Sequence, residues 1–192
     1  MITSFDFFVL NNIQNLRCAA LDAVMAHMLP STLAAAVFWI AVCAVMLIRK
    51  DDRPAGVKGL LALLIGTVVF AVIMKNCVMR LRPFMDENGL LGAEQLLIRP
   101  PSGYSFPSGH SVSSFAAAFS VFLHKKRLGA LCLIVAAAVA FSRMYLYVHF
   151  PSDVICGAVF GILSALAANA IVNNVVKRTK GKEYENKLSD NS

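Results

Sequence analysis

The chain has 192 residues, of which 58% are hydrophobic and only 15% charged, against roughly 45–50% apolar and about 25% charged in ordinary soluble domains. Together with a mean hydropathy of +0.66, this argues against a soluble monomer, a disordered chain and a collagen-like fibre, and points to an integral membrane protein. The net charge of +7 sits between apolar runs, without Gly/Arg tracts or interleaved basic and aromatic residues. That distribution does not fit nucleic acid as a partner.

Residues 1–10 lack a basic start and carry Asp6, unlike a cleavable signal peptide, and there is neither a C-terminal CaaX box nor a glycine at position 2. Ile13, Leu16, Ala20, Leu21, Val24, Met25 and Met28 then recur at helical spacing, with Asn12, Asn15, Arg17 and Asp22 between them. Residues 1–30 are therefore expected to form an amphipathic helix lying at the membrane interface.

Five apolar runs follow, each read as a spanning helix. The first covers 31–48 and stops at Arg49-Lys50. The second covers 59–74 and continues past Lys75 to Met79. The third, 110–123, is short for a full span and is closed by His124, Lys125, Lys126 and Arg127. The fourth, 129–148, is apolar apart from Arg143, and the fifth, 154–176, is closed by Lys177-Arg178. The expected fold is an all-α integral membrane protein, a bundle of about five transmembrane helices, or six if the N-terminal segment also crosses. It forms one domain over 1–178, with a polar, flexible tail over 179–192. Cys18, Cys43, Cys77, Cys132 and Cys156 are odd in number and form no CxxC, so they read as free thiols in apolar surroundings.

The basic residues set the topology. The loop 49–58, the turn at 125–127 and the tail carry them, and by the positive-inside rule these regions face the cytoplasm. The loop 80–109 and the turn near His149 then share the outer face. To that face come Lys75, Arg82-Pro83, Pro107-Ser108-Gly109-His110, Ser142-Arg143, His149 and Asp153. Each has a plain structural reading when taken alone: Lys75 snorkels to the interface, Arg143 pairs with Asp153 inside the bundle, and His110 merely begins a helix. Together, three cations, two histidines and one carboxylate on one side describe a site for an anion.

Local chemistry sharpens this reading. Ser108 can cap a helix whose free N–H groups favour phosphate, and Gly109 permits close backbone approach. Lys75, Arg82 and Arg143 supply charge-assisted bonds to further oxygens. Asp153, four residues after His149, can hold one imidazole nitrogen and leave the other free for attack. His110, from a different helix, can protonate a leaving oxygen.

Three motifs stand in order: Lys75-x6-Arg82-Pro83, Pro107-Ser108-Gly109-His110, and Ser142-Arg143-x5-His149-x3-Asp153. They resemble the type 2 phosphatidic acid phosphatase superfamily, membrane lipid phosphatases related to vanadium haloperoxidases. The resemblance implies that His149 is a nucleophile forming a phosphohistidine, that Asp153 orients it, and that His110 is the general acid. It further implies that Lys75, Arg82, Ser108, Gly109 and Arg143 hold the phosphate, the cations standing where other phosphatases use a metal. No cofactor or metal is expected, since no acidic cluster or zinc-type spacing is present.

The expected partner is a phosphorylated lipid in the plasma (inner) membrane, with the site outside and the C-terminus cytoplasmic; oligomeric state is open. Undecaprenyl diphosphate is the favoured substrate. Phosphatidylglycerophosphate or phosphatidic acid hydrolysis, lipid phosphotransfer, a catalytically silent scaffold, and an anion or lipid transporter or binding protein are the alternatives. Tyr104 and Phe106 read as interfacial aromatics, Arg80 and Arg99 as exposed loop charges, and the Gly157/Gly161 pair as a packing contact within the bundle.

Overall fold

The computed structural model describes residues 4–28 and 31–189, with side chains described as far as 179. Among the described residues there is no strand. Helix α1 is Ser4–Gln14, α2 is Ala19–His27, α3 is Thr32–Ile48 and α4 is Arg53–Ile65. The last passes without a break through a π-helical stretch, Gly66–Met74, into the short α5, Lys75–Val78. A long loop with two 3-10 turns leads to α6, Gly109–His124; α7 is Lys126–Tyr145 and α8 is Pro151–Ser189.

Helix starts follow local chemistry. Ser31 caps α3 by accepting the Ala34 N–H at 3.1 Å, and Ser108 caps α6 through the Ser111 N–H. Pro54 stands in the first turn of α4 and Pro151 opens α8, where a missing N–H costs nothing. Helix α8 continues to Ser189, through most of the segment read as a flexible tail. The final three residues lie outside the described ones.

Three helical runs are long and apolar enough to cross a membrane, 53–85, 126–145 and 151–179, and a fourth is added if α2 and α3 together form one bent span. The short third run of the sequence reading is α6, and its position explains its length. It is the central helix, packed against α3, α4, α7 and α8, and 11 of its 16 residues are buried. A helix shielded from lipid needs neither full apolar length nor a lipid-facing surface, so four serines fit on it. Ser113 and Ser120 return their hydroxyls to backbone carbonyls one turn back, while Ser114 accepts the Trp39 indole N–H at 2.8 Å.

Helices α6 and α8 approach closely because of two glycines. A Cβ on Gly157 would stand 2.8 Å from the Ser108 carbonyl oxygen, and one on Gly161 would stand 2.5 Å from that of Val112. The glycine pair is thus a packing contact within the bundle, as its spacing predicts. Large apolar side chains such as Leu33, Ile48, Leu64, Leu131, Ile134 and Val159 stay exposed, which suits a surface facing lipid.

The N-terminal segment is helical as expected, but in two pieces with different fates. Helix α2 buries no residue. Helix α1 buries Asp6, Leu10, Ile13 and Gln14 and packs on α7 and α8. The Gln14 amide donates to the carbonyls of Met144 and Tyr145, and Leu10 joins a core with Tyr147 and Phe150. The first helix therefore belongs to the body that carries the three motifs.

Candidate active site

Lys75, Arg82, His110, Arg143 and His149 come together around one cavity of about 390 Å³, whose wall is completed by Ser31, Thr32, Val148 and the 98–102 loop including Arg99. Five elements supply them: α5, the loop after it, the first turn of α6, the last turn of α7, and the α7–α8 turn. Among the described residues, no Asp or Glu lines this cavity. Four cations without a facing carboxylate make a positive pocket.

His149 is buried at 3% exposure. Its Nε2 lies 3.4 Å from Arg82 Nη1, and its Nδ1 lies 3.7 Å from Asp153 Oδ2. A guanidinium only donates, so Nε2 carries the lone pair and Nδ1 the proton, on the side of the carboxylate but beyond hydrogen-bond distance from it. Burial holds the imidazole pKa down to about 4, with Arg82 and Lys75 pushing the same way and Asp153 opposing them.

Arg82 is anchored by backbone. Its Nε donates to the Gly103 carbonyl at 2.9 Å, Nη1 to Val148 O at 2.9 Å and Nη2 to Ser102 O at 3.3 Å. Gly103 sits at φ +75, a conformation that glycine takes without strain. Arg143 is held by the Ser142 hydroxyl and, at 2.7 Å, by the Met28 carbonyl. It does not pair with Asp153; its Nη1 faces His110 Nε2 at 3.2 Å. His110 Nδ1 meets Thr32 Oγ1 at 3.5 Å. By the same donor rule, the neutral His110 ring carries its proton on Nδ1.

Two predicted residues stand behind the cavity rather than on its wall. The Ser108 N–H donates to the Asp153 carbonyl at 3.1 Å, tying the starts of α6 and α8 together, and Ser108 is fully buried. Gly109 leaves room for Thr32, whose methyl would stand 3.2 Å from an added Cβ. Asp153 is also behind the wall, at 0% exposure. Its Oδ2 accepts the Phe150 N–H at 2.9 Å, and its Oδ1 is 2.6 Å from Arg80.

Arg80 differs from its reading as an exposed loop charge: it is buried and paired. Arg99 is exposed, as read, and lies on the cavity rim. Tyr104 lines a second, mostly apolar hollow beside the first, and Phe106 packs edge-on against Phe160. Among the described residues, no three His, Cys, Asp or Glu side chains are grouped so as to hold a metal ion.

The model of the PAP2 superfamily matches residues 56–177, more than half of the chain and all three motifs. The chain belongs to the PAP2 superfamily. An undecaprenyl-diphosphatase of Sulfolobus acidocaldarius is 35% identical over 124 residues, covering 64% of this chain and 58% of that protein. The bacitracin transport permease protein BcrC of Bacillus licheniformis is 48% identical over 62 residues, 32% of this chain and 30% of that one. The chain thus spans between about a third and three-fifths of the length of these relatives. The crystal structure of Aquifex aeolicus LpxE superposes with a TM-score of 0.72 at 25% identity, over 86% of this chain and 95% of that one. PAP2 membership and the all-helical membrane fold agree with what the motifs and apolar runs predict.

Proposed function

We propose that this protein is a metal-independent membrane lipid phosphatase working through a phosphohistidine. The observation that carries this reading is the His149 ring, its Nε2 lone pair on the side of a four-cation cavity and its Nδ1 proton aimed at a buried carboxylate. Lys75, Arg82 and Arg143 hold the phosphate oxygens, supported from behind by the Ser108-Gly109 helix start. Their charge does what a divalent ion does elsewhere.

In the first step, Nε2 forms a bond to phosphorus while the bond from phosphorus to the leaving oxygen breaks. Asp153 steadies the ring as it becomes cationic. Phosphate draws the Arg143 guanidinium onto its oxygens and opens His110 Nε2, which takes up a proton from solvent and passes it to the leaving group. In the second step, water attacks the phosphohistidine, giving its proton to His110, which returns it to solvent. The N–P bond breaks, inorganic phosphate leaves and His149 regains its lone pair.

The proposed substrate is undecaprenyl diphosphate. A relative carrying that name supports it, while others are named as lipid A and phosphatidylglycerophosphate phosphatases, the latter substrate being the second reading. The site faces the outside of the plasma membrane, because the opposite end of α4 carries the basic loop with Arg49, Lys50, Lys125 and Lys126.

The test is phosphate release by purified protein in detergent with excess EDTA, from undecaprenyl diphosphate, phosphatidylglycerophosphate and phosphatidic acid in parallel. Release that survives EDTA, vanishes in H149A and is fastest on the diphosphate is expected. Loss of release with EDTA overturns the metal-free mechanism, and absence of release from every lipid overturns the hydrolase reading.

A further inference from the structure

Behind Asp153 stand two buried charges that the proposed mechanism does not use. Arg80 Nη1 lies 2.6 Å from Asp153 Oδ1, and Arg80 Nη2 lies 2.7 Å from Asp6 Oδ2 on α1. Ser152 ties them together: its hydroxyl accepts from Arg80 Nη1 at 2.7 Å and donates to Asp6 Oδ2 at 2.8 Å, and its N–H donates to Asp6 Oδ1 at 3.0 Å. Asp6 is 1% exposed, Arg80 9% and Asp153 0%. The guanidinium also rests on the Phe150 ring, 4.2 Å from its centroid.

The fork of one arginine is thus divided between two carboxylates. Two consequences follow from charge and geometry. Asp153 has no rotational choice, because Arg80 fixes Oδ1 while the Phe150 N–H fixes Oδ2 on the His149 side. The single charge of Arg80 is also divided between Asp6 and Asp153. Without Asp6, Arg80 would neutralise Asp153 alone.

We propose that Asp6 and Arg80 are positioning residues for His149, acting through Asp153, so that the N-terminal helix α1 is part of the active site. The proposal rests on the reading of His149 and Asp153 as the nucleophilic pair. Asp6 does this by balancing Arg80 and Arg80 by aiming the Asp153 carboxylate. Asp6 also brings a carboxylate to the first turn of α8, where an anion complements the helix dipole.

Arg80→Gln strands two buried carboxylates without a cation and is expected to unfold the protein. Asp6→Asn is the decisive variant, since its amide oxygen still accepts the Ser152 N–H while the charge is gone. Asn12→Ala, at an exposed position on the same helix whose side chain bonds only to Phe8 O, is the control.

D6N is expected to lower kcat for phosphate release by about 10- to 100-fold, the cost of a misaimed group, with KM changed less than about threefold. Nitrogen-15 NMR of labelled histidine is expected to show the Nδ1-protonated tautomer of His149 losing population in D6N. The acid limb of kcat is expected at lower pH, because the charges facing His149 (Asp153 on α8, Lys75 and Arg82 after α4, His110 on α6, Arg143 on α7 and Arg99 in the loop) then sum to a more positive field.

Wild-type kcat together with unchanged His149 resonances in D6N overturns the proposal, as does an equal fall in N12A. If wild-type protein releases no phosphate, or H149A keeps its activity, the catalytic reading fails instead. The tautomer comparison needs no turnover and then decides: a D6N difference supports the positioning line, and identity with wild type removes it.

Discussion

The two ends of the helix that runs from Arg53 to Val78 both gather charge, and they do so in opposite ways. At its start, Asp52 sits among Lys125 at 2.7 Å, His124 at 3.6 Å and Arg49 at 3.8 Å. There a carboxylate stands at the centre and the cations surround it. At its far end, Lys75, Arg82, Arg99 and Arg143 surround a cavity that no carboxylate enters among the described residues. Behind that wall, Asp153 and Asp6 are both held by Arg80. Charge compensated within the chain holds helices together, and charge left uncompensated around a hollow awaits a ligand of opposite sign.

The contrast is broken most severely at His149. H149A is expected to cut phosphate release by at least about a thousandfold while leaving the thermal midpoint near wild type. The same ring predicts the pH profile. With its pKa held down to about 4 by burial, the neutral form that the proposed mechanism requires is present above that value. The acid limb of kcat/KM is therefore expected near pH 4, well below the ordinary imidazole value.

Next in size, R143K is expected to lower kcat about a hundredfold, because an ammonium cannot supply the guanidinium fork to oxyanion and Met28 carbonyl together. R99A removes a rim cation and is expected to raise KM a few-fold at unchanged kcat, read from initial rates at varied lipid mole fraction. At the other end, D52N is expected to leave activity unchanged and to lower the thermal midpoint by a few degrees at neutral pH. The hydrogen bond from Lys125 holds the Asp52 carboxyl below its ordinary value, so its stabilisation is full above that value and is lost as pH falls through the lowered one. The gap between wild type and D52N is expected to close below about pH 4.

Much of the cavity was legible in the chain. Lys75, Arg82, His110, Arg143 and His149 lie in apolar or boundary positions where charge is costly, and loop charges alone assigned them to one side. Arg80 was not legible, because nothing in Met79-Arg80-Leu81 tells a free arginine from one whose partner lies 74 positions earlier. Asp6 was equally silent: a carboxylate in an N-terminal helix reads as solvated until the helix it packs on is known. The Ser108 N–H, a natural phosphate donor by sequence, is taken by a carbonyl of another helix. The π-helical turn ahead of Lys75 has no residue signature in its Gly-Thr-Val-Val-Phe-Ala-Val-Ile-Met run. Local pattern reports what a residue costs where it stands, and only packing reports who meets it.

The backbone bond from Ser108 to Asp153 has a thermodynamic consequence. It fastens α6 and α8 side by side with both N-termini at the same end, so two parallel macrodipoles add their positive poles to the four cations there. That end repels itself, and the repulsion is relieved by whatever anion settles between. Binding and folding are then linked through one electrostatic term: orthophosphate is expected to raise the melting temperature with the logarithm of its concentration, and added neutral salt to narrow the difference by screening the same field.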